Sequence, residues 1–274
     1  MRCRQNGAMR SWDRMLTSGM PVVKAAGRSL SYEWIEGGSR AKPTLVFLHE
    51  GLGSIRQWRD FPLKASAATG CRALVYDRYG YGQSDVLAEP RREVRFMHDE
   101  ALEALPELRA RLGIEDAILV GHSDGASIAL IHAGAGHAAR GIVAMAPHVF
   151  IEPVCIDSIR KAANTFETTD LPARLGRYHR DARKTFYGWA DVWLDPHFER
   201  WDIRDDYLPG VRCPVLAIQG YDDEYGTMAQ LDEIARRVAA PCELLKLERC
   251  GHAPFRDQPD ETLAALTRFI NQRI

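Results

Sequence analysis

The residues best suited to chemistry in this 274-residue chain are a serine, a histidine and a knot of carboxylates. Ser123 lies in Gly121-His122-Ser123-Asp124-Gly125, behind the apolar run Ala117–Val120 and ahead of a helix-forming stretch, Ser127–Ala133. A Gly-x-Ser-x-Gly turn between a strand and a helix holds its serine on a strained bend, with the hydroxyl standing clear of the sheet. The flanking glycines lack Cβ atoms, so strand and helix can close on each other. A serine hydroxyl is a weak nucleophile at neutral pH and needs a base, which in turn needs an orienting acid.

The candidate base is His252 in Cys250-Gly251-His252-Ala253-Pro254-Phe255, which follows the last apolar strand and so shares a sheet edge with Ser123. His98, His132, His137, His179 and His197 fall in or near helical or inserted segments and read as surface residues. His49 ends a strand and reads as a loop brace, and His122 as pointing away from Ser123. The candidate acids sit together in Gly220-Tyr221-Asp222-Asp223-Glu224, past another strand end, and charge alone leaves Asp222 and Asp223 both open. The remaining carboxylates there read as solvated or turn-forming. Acyl transfer also needs donors for the developing oxyanion, each worth about 2.7–4 kcal/mol. The N–H of Asp124 is one candidate, and that of Gly51, in the loop after an earlier strand, is the other.

The elements that must carry these residues alternate. Val22–Trp34 suits an edge hairpin, and Pro43–Leu48, Arg72–Tyr76, Ala117–Val120, Gly141–Ala146, Pro214–Gln219 and Glu243–Leu247 read as buried strands. Helices are expected around Gln57–Ala67, through Ala101, Leu105, Leu108 and Leu112, through Leu231, Ile234 and Val238, and through Leu263, Leu266, Phe269 and Ile270. Continuous apolar strands alternating with helices imply an α/β fold, with a mostly parallel central sheet covered by helices on both faces. Ligands bind beyond the carboxyl ends of such strands. One stretch breaks the alternation: residues 148–208 are charged and aromatic, with Phe166, Phe186, Trp189, Trp193 and Trp201 but no strand run. An insertion of this kind reads as a helical cap rather than a loop. The expected organisation is an N-terminal extension (1–20), a core (21–147 and 209–274) and the cap between its halves.

Hydrophobic content of 46% and charged content of 27% are those of an ordinary globular protein, and the formal net charge of -1 provides no basic footprint for nucleic acid. No apolar run approaches the roughly 20 residues that span a bilayer, and Met1–Asn6 lacks a signal-peptide core. Residues up to Met20 read as a loose extension with later candidate starts at Met9, Met15 and Met20. The six cysteines are scattered without a Cys-x-x-Cys, several beside apolar strands, which suits a reducing, cytoplasmic setting. No His-Glu-x-x-His or comparable ligand set is present, so neither metal nor cofactor is expected.

With these motifs together, the chain resembles the α/β-hydrolase superfamily, in its capped serine-hydrolase form, from about Val22 to Ile274. The order Ser123, Asp223, His252 matches the family's order of nucleophile, acid and base, and its acid usually lies three residues after the strand-ending glycine, which favours Asp223 over Asp222. Asp77-Arg78-Tyr79-Gly80-Tyr81-Gly82-Gln83-Ser84 is similar to the family's Asp-x-Arg-Gly-x-Gly-x-Ser turn. The departure lies in the oxyanion loop, commonly His-Gly-x-Pro-Gly and here His49-Glu50-Gly51-Leu52-Gly53. In that alignment Gly51 supplies the N–H, with Leu52 as the alternative donor.

Glu50 and Asp124 flank this oxyanion site. If at least one carboxylate faces the pocket, it favours substrates with a positive or hydrogen-bond-donating group; the alternative is that both turn away onto loop backbone or Arg78. Glu50 and Leu52 are therefore the candidate substrate-binding residues. Arg59, Arg78, Arg177 and Arg180 could meet a carboxylate, but each reads first as a solvated surface cation. The resemblance implies a hydrolase of a small carboxylic ester or thioester, acting through an acyl-enzyme on Ser123 with a small-molecule substrate. Similar capped enzymes hydrolyse carbon–carbon bonds of ring-cleavage products with the same three residues, and a few proteins of this scaffold only bind ligands. Dehalogenases and epoxide hydrolases of the superfamily carry Asp where Ser123 stands.

Overall fold

The computed structural model describes residues 20–274, so the expected extension lies outside the described residues except for Met20. Eight strands form one sheet in the order β1-β2-β4-β3-β5-β6-β7-β8. β1 (Val22–Ala25) and β2 (Arg28–Ile35) form the edge hairpin, and β2 runs antiparallel to β4 (Ala73–Tyr76). β3 (Thr44–Leu48), β4, β5 (Ala117–His122), β6 (Gly141–Met145), β7 (Val215–Gly220) and β8 (Cys242–Leu247) are all parallel.

Side chains alternate between the two faces of the central strands, and the hydrophobic core divides accordingly. Leu45, Phe47, Ile118 and Val120 pack with Phe61, Ala65, Leu266 and Phe269, so the helices Phe61–Thr69 and Pro259–Arg273 cover one face. Val46, Leu48, Leu119 and Ala144 pack with Leu105, Leu108, Ile128, Ile131, Leu231 and Ile234, so Leu105–Arg111, Asp124–Gly134 and Ala229–Arg237 cover the other. β3 and β5 are buried at every position, as the continuous apolar runs required. The mostly parallel, doubly covered α/β fold is therefore the one expected.

Two helices differ from their expected bounds. The stretch around Gln57–Ala67 is a 3-10 turn, Ile55–Trp58, and a separate helix, Phe61–Thr69. Arg59 breaks them apart with φ 54°, and Pro62 opens the new helix, where its missing N–H costs nothing. The apolar stripe from Ala101 to Leu112 crosses a π-helical turn, Glu100–Ala104, before Leu105–Arg111. Pro106 cannot donate the next helical hydrogen bond, and the widened turn precedes it.

Between β6 and β7 the chain forms the helices Pro153–Thr168, Leu171–Leu175 and Ala182–Trp193. An isolated bridge joins Phe150 to Asp202 near the two ends of this segment. Its aromatics pack chiefly on one another: Phe166 stacks on Phe186 at 4.0 Å, and Trp193 meets Phe198 edge-on at 4.9 Å. Four hydrogen bonds tie it to the turn after β4: Gly82 N–H to His179 Nδ1 at 2.9 Å, Arg180 N–H to Gly82 O at 3.0 Å, Thr185 Oγ1 to Gly80 O at 2.8 Å, and Gln83 Nε2 to Tyr178 O at 3.3 Å. Among the described residues, no helix is long and apolar enough to cross a membrane.

Candidate active site

Ser123 follows the last residue of β5 and precedes the helix Asp124–Gly134. Its backbone has φ 53° and ψ -119°, a conformation a side-chain-bearing residue adopts only under constraint. The constraint is visible on both sides. A Cβ on Gly121 would strike the backbone of Gly125 and Ala126, and one on Gly125 would strike the carbonyl of Leu48. The Ser123 N–H donates to Met145 O at 2.9 Å, which pins the bend to β6. Strand, turn and helix thus close so tightly that only glycine fits at either flank.

The loops after β7 and β8 bring the other two groups. A Cβ on Gly220 would collide with Cys250 O, and the Asp222 N–H donates to that same carbonyl at 3.0 Å, so the acid loop and the base loop lie against each other. His252 Nε2 lies 2.9 Å from Ser123 Oγ, and its Nδ1 lies 2.8 Å from Asp223 Oδ1. Asp223 also accepts from the Tyr225 N–H at 2.8 Å and from Gln219 Nε2 at 3.2 Å. A carboxylate only accepts, so the Nδ1 of His252 carries the hydrogen and its Nε2 is free to accept from the serine hydroxyl. Burial works against the His252 imidazolium, but the charge and hydrogen bond of Asp223 outweigh it and hold the pKa above the ordinary histidine value. Burial likewise opposes the Asp223 carboxylate, and His252 more than offsets it, so Asp223 sits below the usual range. Asp222, the alternative acid, is exposed.

These residues border a cavity of about 400 Å³ lined by Glu50, Gly51, Leu52, Asp124, Trp189 and Trp193 among others. Among the described residues no acceptor takes the N–H of Gly51 or of Asp124. Gly51 is pressed against the Trp189 indole, where a Cβ would not fit. The turn is closed by the Gly53 N–H donating to Glu50 O at 3.0 Å. That carbonyl also accepts from His49 Nδ1 at 2.7 Å and from Arg78 Nη2 at 2.9 Å. His49 Nε2 in turn accepts the Arg78 N–H at 3.0 Å, so His49 is a neutral brace, and burial, with Arg78 nearby, holds its pKa well below the ordinary value.

A model of the alpha/beta hydrolase family matches residues 45–266. The chain belongs to that family. Among curated proteins, this hydrolase is 24% identical over 298 residues to a proline iminopeptidase of Lactobacillus helveticus, spanning 92% of this chain and 99% of that one. Among solved structures it is similar to an alpha/beta hydrolase from a Medee basin deep-sea metagenome library, with a TM-score of 0.73 and 21% identity over 92% of this chain and 98% of that one. An enol-lactonase from Burkholderia xenovorans gives a TM-score of 0.70 and 21% identity, covering 92% of this chain and all of that one (100%).

Within the hydrolase, several side chains lie elsewhere than expected. Arg78 is not a surface cation: it is 2% exposed, lies over the Tyr81 ring, donates to His49 O and Glu50 O, and sits 3.6 Å from Asp124 Oδ2. His132 and His179 are buried rather than exposed, because each serves loop or helix backbone. His132 Nδ1 donates to Ala101 O at 2.7 Å, and His179 Nε2 to Leu52 O at 3.0 Å. The two acids near the loop after β3, Glu50 and Asp124, take different positions. The Asp124 carboxylate is buried beside Arg78, with neither oxygen hydrogen-bonded among the described residues. Glu50 lines the cavity, with its Oε2 3.3 Å from His122 Nδ1.

The sequence reading assigned no site role to His148, Cys155, Ile159 or Tyr225, all of which line the cavity. The Tyr225 ring lies 4.7 Å from that of His252, and the His148 ring 5.8 Å from it. Burial first, then the charge of His252, pushes the His148 pKa down to about 3, so this ring is neutral. His148 follows directly on Pro147 after β6, a strand-end position of the same kind as those of Ser123 and Asp223, and that placement was the available signal. Among the described residues no group of three or more His, Cys, Asp or Glu side chains is placed to hold a metal ion.

Proposed function

We propose that this hydrolase cleaves a small carboxylic ester or thioester through an acyl-enzyme on Ser123. The observation that carries the reading is the continuous line from Asp223 Oδ1 through His252 to Ser123 Oγ, with contacts of 2.8 and 2.9 Å, ending at a cavity wall with Gly51 and Asp124, whose backbone N–H groups have no acceptor among the described residues.

In this reading Ser123 Oγ attacks the acyl carbon while its proton passes to His252 Nε2. Asp223 orients His252 and stabilises the imidazolium. The N–H groups of Gly51 and Asp124 hold the oxyanion as the C–O or C–S bond to the leaving group breaks, and His252 returns the proton to that group. Water then attacks the acyl-enzyme, giving its proton to His252, and the carboxylic acid departs as Ser123 recovers its hydrogen. Trp189, Trp193, Ile159 and Leu52 would receive an apolar acyl or alcohol portion, and a cavity of about 400 Å³ suits a small one. Residues 148–208 act as the cap that closes over it.

The test is a panel of p-nitrophenyl esters, acyl thioesters, ring-cleavage dienoates and a prolyl anilide, each with Ser123→Ala as control. Turnover of esters or thioesters, abolished in Ser123→Ala, is expected. Turnover of the dienoates alone would transfer the assignment to carbon–carbon hydrolysis, and turnover of the anilide alone to the peptidase activity named for the Lactobacillus relative. Activity that survives Ser123→Ala would overturn the mechanism.

A further inference from the structure

His122, the residue before the nucleophile, has an acceptor at each ring nitrogen. Its Nε2 lies 2.6 Å from the main-chain oxygen of His252, and its Nδ1 lies 3.3 Å from Glu50 Oε2. The ring is 2% exposed, wedged between Trp58 and Phe255, with its centroid 5.2 Å from that of His252. A carbonyl oxygen cannot donate, so Nε2 carries a hydrogen. A neutral ring would then turn the bare lone pair of Nδ1 toward a carboxylate, which also cannot donate when ionised. The contacts are all satisfied when both nitrogens are protonated and Glu50 is charged.

Glu50 is placed for that role. It stands where the family's oxyanion loop usually has glycine, and its carboxylate folds back over Gly53, where any Cβ would meet it. Burial opposes its charge, but the hydrogen bond and charge of His122 outweigh it and hold its pKa at about 2.

We propose that His122 is an imidazolium strut, clamped between the Glu50 carboxylate and the His252 carbonyl, that sets the base loop against the oxyanion loop. The strut joins three chain segments: the turn after β3, the end of β5 and the loop after β8. Its charge is balanced by Glu50, so it leaves the proton affinity of the neighbouring His252 ring largely to Asp223. Glu50 and His122 touch no reacting atom and are positioning residues. Their kinetic role rests on the proposed acyl transfer, whereas the protonation of His122 does not.

Nitrogen NMR of histidine-labelled protein reads the state of His122 directly, its signal assigned by its loss in His122→Phe or, should that variant fold poorly, His122→Asn. The wild type is expected to show both His122 nitrogens protonated at neutral pH. Glu50→Gln is the informative variant. Its amide N–H can donate to a neutral Nδ1, so His122 should become an Nε2–H tautomer, keep its bond to the His252 carbonyl, and lose kcat by less than about threefold. Glu50→Ala has no such replacement and should lower kcat about 10- to 100-fold with KM changed less than about twofold, the signature of a misplaced base. The double variant Glu50→Ala/His122→Phe should be no worse than His122→Phe alone, because the two act as one unit. A neutral His122 in the wild type, or losses that multiply in the double variant, would overturn the strut. Failure of a fluorophosphonate to label wild-type Ser123 would overturn the acyl-enzyme reading instead, while the His122 signal is still read.

Discussion

The elbow at Ser123 and the loop after β3 meet at one cavity but are held by opposite means. The elbow is fixed by backbone packing: Gly121 and Gly125 have no room for a Cβ, and Ser123 is forced to φ 53° between them. The loop after β3 is held largely by side chains: His49 and Arg78 converge on the Glu50 carbonyl, and the Glu50 side chain reaches His122. A backbone device permits little variation and leaves a recognisable sequence pattern. A side-chain device can be rebuilt with other residues, and here Glu50 replaces the customary glycine.

The largest expected effect lies at the elbow itself. Ser123→Ala should reduce kcat about 10⁶-fold, as removal of a sole nucleophile does, measured on whichever ester is turned over best. Asp223→Asn comes next, with a loss of about 10⁴-fold. Because Asp223 is what raises the His252 pKa, the same variant should also move the acid limb of the kcat/KM profile to lower pH. In the wild type that limb should lie above pH 6.5, the histidine reference value, since activity requires neutral His252 and its pKa is raised. A limb that does not move on Asp223→Asn would remove Asp223 from its role.

The two loops themselves are separated by a pair of glycine substitutions. Gly125→Ala drives a methyl into the Leu48 carbonyl, which cannot yield without parting β3 from the elbow. It should cost about 1–3 kcal/mol of stability. Gly53→Ala meets the Glu50 carboxylate, which can swing aside, and the Cβ of His49 but no backbone, and should cost less stability while lowering kcat. Thermal melts of both variants decide the point: equal losses of melting temperature would erase the distinction between the loops. The smallest effect is expected for Asp124→Asn. Its carboxylate is buried beside Arg78 and its N–H is unchanged, so the preference between amine-bearing and neutral esters should shift by less than about threefold. A selective loss on amine-bearing esters would show that the carboxylate reaches the substrate.

This contrast also marks how much was legible in the sequence. The sheet was, because buried parallel strands read as continuous apolar runs, and so was the turn at Ser123, because glycines at fixed spacing record a close approach of backbone. Asp223 needed the family's spacing to be preferred to Asp222, since adjacent carboxylates carry identical charge. The burial of Arg78, His132 and His179 was not legible, because a polar residue is buried by partners distant in sequence. His179 reaches Leu52 across the fold, and Arg78 is enclosed by His49, Glu50, Tyr81 and Asp124. The cavity residues Cys155 and Tyr225 escaped for the same reason: each is an ordinary residue until the segment between β6 and β7 and the loop after β7 fold over the site.

The most direct measurement of the central claim is covalent labelling. Protein treated with a fluorophosphonate to completion should carry one phosphonyl group, mapped by peptide mass spectrometry to Ser123, with ester hydrolysis lost in proportion to labelling and no label taken up by Ser123→Ala. Hydrolysis that persists in fully labelled protein, or a label that maps to another residue, would contradict the account.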